Sequence, residues 1–388
     1  MQRIGIVGTG FIGQGLARAV SRCADLALGP VLTRRPLETC SHLAGSEQLT
    51  QSLDELIERS DLIAECSGHV VHATRVVDAA LRARLPVVTM NAEMHVTTGS
   101  FLVGRGKLSE AEGDQPGSLA ALAANAIAMG CRPIVYGNAK GYLDEDPSPA
   151  QVAHWADRQG ISPQQVTSFT DGTKVQIEQA LVANGLGAEI VRPGLLGPRV
   201  EHREAGAATL LEAALARGVP ISDYILSPSN SGELFLVAEH DTAEQAALRY
   251  FKLGNGPHYL LRQPFHLCHL EMPKTIRRVL AGEQPLLDNS PTPRVGVYAR
   301  AKRRLEPGTT LPFGIGSFAV RGCARPIRES TALVPIGLLY DARIVGEVGP
   351  GELIPWEAVE LPESLAVEKV RRDPSSSFGA DMRASDLG

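Results

Sequence analysis

The chain has 388 residues, of which 44% are hydrophobic, and its 38 basic and 43 acidic side chains leave a net charge of −5. This length predicts two or three domains with apolar cores, and the slightly acidic balance excludes the broad basic surface that binds nucleic acid. No stretch of transmembrane length is free of charge, and the first residues run straight into a predicted strand, so we expect neither a membrane span nor a signal peptide.

The first predicted elements are a buried strand over 4–7, a glycine turn and an amphipathic helix over 11–21. Gly8 makes the tight turn, Gly10 leaves room for a pyrophosphate, and Gly13 lets the helix pack close to the sheet. Because this G-x-G-x-x-G follows a strand and opens a helix with unpaired N–H groups, it predicts a dinucleotide site rather than an ordinary strand–helix turn. The cofactor-binding residues predicted here are Gly8, Gly10, Phe11, Ile12 and Gly13.

The second strand, predicted over 30–32, indicates which dinucleotide binds. Enzymes that use NAD usually place Asp or Glu at the end of this strand, to hold the ribose hydroxyls. Here the strand ends in Thr33, Arg34 and Arg35. Since guanidinium groups pair bidentately with phosphate, the sequence predicts NADP(H) over NAD. The alternative is that the two arginines are a solvated surface pair.

Two further strands, over 62–66 and 86–90, alternate with helices over 53–59 and 72–84. This alternation predicts a Rossmann-type, doubly wound parallel sheet, with an NADP-binding domain over 1–130. Ligands in such sheets lie at the carboxyl ends of the strands. The predicted cofactor site therefore also includes Ser67, Gly68 and Asn91.

A second unit contains a predicted helix over 118–129, a strand over 132–136, a glycine loop with Lys140, and a helix ending near 184. We expect an α+β catalytic and dimerisation domain over 131–288. Short β-prone runs follow, separated by Gly and Pro, and predict a small β module over 289–368. These runs are 294–299, 305–310, 336–339 and 349–355. The polar segment 369–388 is expected to be disordered.

The strand and loop segments together carry a family resemblance. Residues 4–13, 62–68 and 87–93 resemble homoserine dehydrogenase-like NAD(P)-dependent oxidoreductases. A narrower branch with a C-terminal SAF-like β-clip module is indicated by 113–117, 137–141, 168–174, 265–273, 306–309 and 348–352. Some members of that branch reduce and rearrange 1-deoxy-D-xylulose 5-phosphate to 2-C-methyl-D-erythritol 4-phosphate with NADPH, a step of isoprenoid biosynthesis. The resemblance therefore implies a reductase of deoxyxylulose phosphate reductoisomerase-like type.

The segment between 101 and 114 departs from this pattern. The family usually has another strand there, whereas 102–107 contain no β-branched run. We therefore expect that strand to be missing and the entrance to the substrate pocket to differ.

Lys174 is the first catalytic candidate. Hydride transfer needs a group that handles charge on the reacting oxygen, and a lysine ammonium does so; with a lowered pKa it also exchanges a proton. Lys174 follows Asp171, Gly172 and Thr173 at the start of a helix, and the resemblance assigns a lysine of this motif such a role. Alternatively, Asp171 or Thr173 only caps the helix and Lys174 pairs with Glu178 at i+4.

Further candidates are weaker. Lys140 is predicted to be a second catalytic lysine or, alternatively, a solvated loop lysine. Asp171 is also predicted to be a catalytic residue. Glu93 is predicted to bind a substrate hydroxyl or, with Asp114 and Asp171, a Mg²⁺ or Mn²⁺ ion. The alternative for these carboxylates is separate turns or caps.

Two more clusters, a basic loop and a histidine-containing run, carry candidate site residues. Arg192 and Arg199 lie in a basic glycine-rich loop that either grips a substrate phosphate or is a surface loop balanced by its glutamates. The run 266–271 contains two histidines and a cysteine, but its spacing fits no zinc site, and strand alternation would point the histidines to opposite sides. Packed, hydrogen-bonded histidines are predicted instead.

Together these features predict an NADPH-dependent oxidoreductase of a small oxo compound, including a phosphorylated sugar-like one. A plain aldehyde or ketone reductase of a biosynthetic pathway and a non-catalytic NADP-binding sensor or scaffold remain alternatives. Six scattered cysteines without a C-x-x-C pair favour free thiols and a reducing cytoplasm. We expect a small-molecule substrate, no nucleic-acid or membrane partner, and a homo-oligomer, most simply a dimer. The β module would supply a dimer contact or a lid.

Overall fold

The computed structural model describes residues 1–230 and 232–372. Its first sheet has six parallel strands in the order β3-β2-β1-β4-β5-β6. The strands are β1 (Gln2–Val7), β2 (Leu26–Leu32), β3 (Leu49–Thr50), β4 (Leu62–Glu65), β5 (Val87–Thr89) and β6 (Leu108–Glu110). The connecting helices are α1 (Phe11–Val20), α2 (Leu53–Glu58), α3 (Val70–Arg82) and α4 (Ala92–Val103). The predicted Rossmann-type parallel sheet is confirmed.

Strand β6 corrects the expectation that no strand lies between 101 and 114. Ser109 pairs with Val88, and the Glu110 amide donates to the carbonyl of Leu287 at 2.7 Å. All three residues of β6 are buried. Its order therefore comes from these long-range bonds, since the sequence Leu-Ser-Glu has little strand propensity of its own.

The second sheet has four strands in the order β10-β9-β7-β8, antiparallel except for the β7–β8 pair. These are β7 (Arg132–Lys140), β8 (Ile221–Leu226), β9 (Leu234–Glu239) and β10 (His258–Gln263). The helices of this part are α5 (Gln115–Ala128), α6 (Pro149–Gln159), α7 (Pro163–Thr170), α8 (Thr173–Leu186), α9 (Arg203–Arg217) and α10 (Gln245–Tyr250). Side chains of α5 and α8 pack in one core with the sheet and those of α9 in another, so both faces are covered.

Helix α11 (Met272–Leu280) returns to the first sheet. Met272, Ile276 and Val279 are buried in the core that contains Ile4 and Ile6. The apolar side chains recur at i, i+4 and i+7, which places them on one face of the helix.

The C-terminal module is built from a two-stranded and a three-stranded antiparallel sheet. Its strands are β11 (Val295–Ala301), β12 (Thr310–Phe313), β13 (Val320–Pro326), β14 (Tyr340–Ile344) and β15 (Val359–Glu360). Three predicted runs differ. Ile336–Leu338 is a 3₁₀ turn, 349–355 joins only through isolated bridges at Leu353 and Pro355, and the run at 305–310 gives a strand that starts at Thr310.

The last described element is α12 (Leu365–Arg371), whose Ala366 and Val367 are buried in the main core. The expected disorder of 369–388 is therefore wrong for 369–371, while 373–388 lie outside the described residues. All six cysteines are free thiols, as predicted. Among the described residues no helix is long and apolar enough to cross a bilayer.

Helix α8 joins the domains. Residues 173–184 are all buried, and their polar side chains bind the backbone of the C-terminal module. Thr173 Oγ1 accepts from the Gly322 amide at 2.8 Å, and Gln176 Oε1 accepts from the Ala324 amide at 2.9 Å. The module is thereby fixed to the helix whose first turn presents Lys174.

Candidate active site

The glycine turn after β1 has the shape of a phosphate cradle. Gly8 has a φ of 103°, and a Cβ on Gly13 would stand 2.0 Å from the Gly8 carbonyl oxygen. A Cβ on Gly10 would meet nothing within 4 Å. Gly10 is the N-cap of α1 and has no side chain to cap the amides of the first turn, which include those of Phe11 and Ile12. Such a helix N-terminus fits a diphosphate.

The end of β2 is tied to this turn. Thr33 Oγ1 lies 3.1 Å from Thr9 Oγ1 and accepts from the Arg35 amide at 3.1 Å. Arg34 and Arg35 are exposed, and neither forms an ion pair with a described residue. Two uncompensated guanidinium groups therefore stand beside the glycine turn, as a 2′-phosphate site requires.

Glu65, the last residue of β4, forms hydrogen bonds next to the predicted cofactor residues Ser67 and Asn91. Its wholly buried carboxylate accepts from the Ser67 amide at 2.8 Å and from the Thr89 hydroxyl at 3.2 Å. Burial raises the pKa of Glu65. Gly68 is open, whereas the Asn91 side chain is wholly buried and caps α4 through the Met94 amide at 2.9 Å. Asn91 thus fixes the start of α4 from a buried position.

Both candidate lysines open into one cleft of about 650 Å³ in the second domain. Three of the side chains that line it are aromatic. The lining includes Gln115, Lys140, Tyr142, Trp155, Phe169 and Lys174. A concave site with a few converging polar groups on an apolar wall is typical of small-molecule binding.

Lys174 reaches from α8 to the carboxyl edge of the first sheet. Its Nζ lies 2.9 Å from Glu93 Oε1, in the first turn of α4, and 3.9 Å from Asp114 Oδ2. Burial alone would lower the pKa of Lys174, but the carboxylates of Asp114, Glu93 and Glu178 raise it above its ordinary value. Lys174 is therefore a cation, and the lowered pKa that proton exchange would need is not found.

Lys140 is the last residue of β7 and not a loop residue as predicted. Its Nζ lies 2.7 Å from Gln115 Oε1 and 3.1 Å from Glu178 Oε2. Glu178 also accepts from the Asn138 amide at 3.2 Å. Burial raises the pKa of Glu178, against the lowering effect of the two lysines. Glu178 thus forms its ion pair with Lys140, and not with Lys174 at i+4 as in the alternative that the sequence left open.

A buried acid–imidazole pair stands behind this cluster. His95 Nδ1 is 2.7 Å from Glu110 Oε2, and neither side chain is exposed to solvent. Burial, with the neighbouring charge of Asp114, raises the pKa of Glu110 well above its ordinary value. Burial lowers the pKa of His95 to about 3. Both directions favour a protonated Glu110 that donates its hydrogen bond to a neutral imidazole.

The predicted divalent-metal site does not fit these positions. Glu93 and Asp114 both face the ammonium of Lys174, so a protein cation already stands between the two carboxylates. Throughout 1–230 and 232–372, no group of three or more His, Cys, Asp or Glu side chains is arranged to hold a metal ion.

Asp171 lies apart from the cleft. Its buried carboxylate binds Lys302 Nζ of the C-terminal module at 2.7 Å and accepts from the Thr173 amide at 2.8 Å. It does not line the cleft that contains Lys174. This geometry favours a structural role for Asp171 at the start of α8 over the expected catalytic one.

The predicted substrate arginines also lie elsewhere. Arg192 donates to its own loop, to the Leu195 carbonyl at 2.9 Å and the Leu196 carbonyl at 3.1 Å. Arg199 lines a separate polar pocket of about 300 Å³ together with Arg321. Neither arginine lines the lysine cleft.

The histidine run forms a turn with a 3₁₀ segment, Cys268–Leu270, so the assumed strand alternation is wrong. His269 packs edge-on against Phe11, with ring centroids 5.7 Å apart. His266 Nε2 lies 3.5 Å from Gln115 Nε2.

Sequence reasoning missed the roles of Gln115, Glu178 and Glu110. Gln115 lies within 113–117, a segment that carried the family resemblance, and this was its available signal. Glu178 and Glu110 have no local signal, because their partners are 38 and 15 residues away.

Comparisons with known proteins agree with this geometry. Residues 8–105 match the NAD-binding domain of homoserine dehydrogenase, and residues 113–272 match a family described as oxidoreductase DRL, catalytic domain. The chain is an NAD(P)-dependent oxidoreductase. The first match covers the glycine turn and the second covers both cleft lysines.

Individual relatives of this oxidoreductase are distant. Inositol 2-dehydrogenase of Cereibacter sphaeroides is 36% identical over 88 residues, which span 22% of this chain and 26% of that protein. A hyperthermophilic archaeal homoserine dehydrogenase in complex with NADPH is 14% identical over 74% of this chain and 99% of its own, with a TM-score of 0.45. Scyllo-inositol dehydrogenase of Lactobacillus casei is 14% identical over 74% and 92%, with a TM-score of 0.42.

Proposed function

We propose that this chain uses NADPH to reduce the carbonyl group of a small hydroxylated or phosphorylated compound. One observation carries the proposal: the Lys174 ammonium of the second domain meets Glu93 at the carboxyl edge of the first sheet, with 2.9 Å between the two groups. A cation is thus held at the junction of the dinucleotide-binding domain and the cleft, where charge on a reacting oxygen needs to be stabilised.

NADPH is proposed over NADH because of the end of β2. The strand ends in Thr33, Arg34 and Arg35, with no carboxylate to repel a 2′-phosphate and two free guanidinium groups to bind it. The open amides after Gly10 would hold the diphosphate. When bound, the reduced nicotinamide supplies the hydride.

The cleft residues would activate the carbonyl group and bind the rest of the substrate. Lys174 holds a proton on Nζ and donates a hydrogen bond to the reacting oxygen, while Glu93 and Asp114 fix its position. Lys140 and Gln115, 2.7 Å apart, would bind the hydroxyl or phosphate groups of the substrate. The aromatic wall excludes water from the carbonyl.

The more specific reaction we propose to test first is the reductive rearrangement of 1-deoxy-D-xylulose 5-phosphate. Its support is the resemblance of 113–117, 137–141 and 168–174, because Gln115, Lys140 and Lys174 come from these segments and line one cleft. Plain carbonyl reduction is the second candidate. It is favoured by the position of Lys174 between the carboxylates of Glu93 and Asp114. There the ammonium would stabilise charge on the substrate's carbonyl oxygen.

The test follows NADPH consumption with 1-deoxy-D-xylulose 5-phosphate and with aspartate semialdehyde, each with and without Mg²⁺. Turnover of the first with formation of the rearranged alcohol supports the reductoisomerase, and turnover of another carbonyl supports the plain reductase. Calorimetric binding of NADPH without turnover of any carbonyl supports the sensor. Absence of binding with either nicotinamide coenzyme overturns the proposal.

A further inference from the structure

An aromatic stack joins the C-terminal module to the dinucleotide-binding domain. The rings of His69 and Tyr340 are parallel to within 15°, with centroids 4.0 Å apart. His69 caps the start of α3, directly after the Ser67–Gly68 loop, and Tyr340 begins β14. Both side chains are partly exposed. Asp341, the next residue, has a φ of 49°, a backbone conformation uncommon for a side chain of this kind.

The strand order places this stack along the cofactor groove. The carboxyl ends of neighbouring strands present Arg34 after β2, Gly10 after β1, His69 after β4 and Glu93 after β5. A dinucleotide with its 2′-phosphate at Arg34 and its diphosphate at Gly10 extends its other half toward β4 and β5. Tyr340 packs on His69 past the end of β4, on the side of the groove where the nicotinamide half would lie.

The two rings are neutral and flat. His69 Nδ1 accepts from the His72 amide at 3.3 Å, which leaves the ring proton on Nε2. Burial, with the charge of Arg34, lowers the pKa of His69 to about 4. Burial raises the pKa of Tyr340 to about 12, and its hydroxyl lies beside the Val70 amide. Such a pair packs well against another uncharged ring or a ribose.

We propose that the C-terminal module completes the cofactor site, and that Tyr340 forms the wall against which the nicotinamide nucleotide half of NADPH packs. The inference rests on the NADPH site of the proposed function. The module is suited to this role because Thr173 and Gln176 fix it to α8. The same helix therefore fixes both the module that carries Tyr340 and the Lys174 ammonium.

The test measures the affinities of the full chain for NADPH and for adenosine 2′,5′-bisphosphate, which lacks the nicotinamide half. In Tyr340→Ala we expect NADPH to bind about tenfold more weakly, as for the loss of about 1.4 kcal/mol of ring packing. We expect the bisphosphate to bind within twofold of wild type, because the adenine half does not meet Tyr340. Tyr340→Phe, which keeps the ring, should retain NADPH affinity within threefold.

Two further variants control for damage to the fold. Arg343→Ala removes an exposed side chain from the same strand and should change neither affinity. His69→Asn removes the other ring but keeps a good helix cap, and should weaken NADPH selectively as Tyr340→Ala does.

The ratio of the two affinities decides the outcome. A ratio unchanged in both Tyr340→Ala and His69→Asn overturns the inference, whether both affinities stay constant or fall together. A loss confined to the bisphosphate also overturns it, because Tyr340 would then meet the adenine half. If the wild-type chain binds neither compound, the proposed function fails with it, and that failure is recognised before any variant is made.

Discussion

Lys174 and Glu93 are each the second residue of a helix, and their side chains meet across two domains with Nζ and Oε1 2.9 Å apart. Both helices begin at the edge of the first sheet where the cofactor is proposed to bind. The carboxylate therefore both locates the ammonium and keeps it protonated. This relationship favours the proposed role of Lys174 as a donor and electrostatic stabiliser over that of a base with a lowered pKa.

Replacement of Lys174 by Met is expected to lower kcat by about 10³-fold or more, because it removes a preorganised cation at the reacting oxygen. The affinity for NADPH should stay within threefold, since the glycine turn and Arg34 are untouched. Steady-state kinetics and calorimetry check the two parts. Lys252→Met, an exposed lysine of the second domain, is the matched control. Full activity in Lys174→Met would remove this residue from the mechanism.

Glu93→Gln is expected to change the pH profile of kcat. The carboxylate raises the pKa of Lys174, so its neutralisation lowers that pKa. An alkaline limb that reflects loss of the proton on Lys174 should then lie at a lower pH in the variant than in the wild-type enzyme. Glu357→Gln, an exposed carboxylate of the C-terminal module, should leave the profile in place. An alkaline limb at the same pH in both variants would show that Glu93 does not control the proton on Lys174.

Charge reversal at Arg34 and Arg35 is expected to separate the two coenzymes. The double variant to Glu should bind NADPH at least 100-fold more weakly, since two phosphate contacts become repulsive, and NADH within about threefold. Fluorescence titration of both coenzymes measures the difference. Arg22→Glu places an acid on an exposed site past the end of α1 and serves as the control. Equal losses for NADPH and NADH would contradict a 2′-phosphate site here.

The glycine turn is predictable from the sequence because every requirement is local: a strand, three glycines and a helix within about twenty residues. Strand β6 is not, because it is short and its order comes from β5 and Leu287. Lys140 looks like a loop residue because Gly137 and Asn138 interrupt the apolar run. In the fold, the ring of Phe235 packs over Gly137, where a Cβ would be 2.1 Å from it, so the strand continues.

The candidate site shows the same division between local and long-range information. The sequence singles out Lys174, Lys140, Glu93 and Asp114, and the fold brings all four together. Their pairing is different from the helical i+4 expectation, because Glu178 turns to Lys140 and Lys174 to Glu93. Choices among several buried partners depend on tertiary packing, which local spacing does not encode.

Variants of the Asp171–Lys302 ion pair would show whether Asp171 has a structural or a catalytic role. Both side chains are buried, with 1% of Lys302 and none of Asp171 exposed. Lys302→Met alone leaves a carboxylate unpaired and should cost about 3–5 kcal/mol of unfolding free energy. Adding Asp171→Asn should recover most of this loss and keep kcat within about threefold. Urea unfolding and steady-state kinetics measure both quantities. A stable but inactive double variant would restore the catalytic assignment.

The pair of Glu110 and His95 predicts how stability depends on pH. In the folded chain the pair holds one proton, because the pKa of Glu110 is raised well above its ordinary 4.5 and that of His95 is lowered from 6.5 to about 3. In the unfolded chain the pair holds two protons below about pH 4.5, one proton between about 4.5 and 6.5, and none above about 6.5. Its contribution to stability is therefore flat between these values and declines on both sides.

Glu110→Gln isolates one half of this dependence. The amide still donates to His95 but no longer titrates, so the variant loses the proton that Glu110 takes up on folding. The raised pKa of Glu110 stabilises the folded chain fully below about pH 4.5, and this contribution is lost as pH rises toward the folded pKa. The stability of wild type minus that of the variant should therefore fall as pH rises above about 4.5, by up to about 1.4 kcal/mol per pH unit until the folded pKa is reached. Equilibrium urea unfolding at three pH values measures the slope, and Glu357→Gln, which replaces an exposed carboxylate of the C-terminal module, should show none. A constant offset for Glu110→Gln would mean that Glu110 is ionised in the folded chain and that the proton lies on His95.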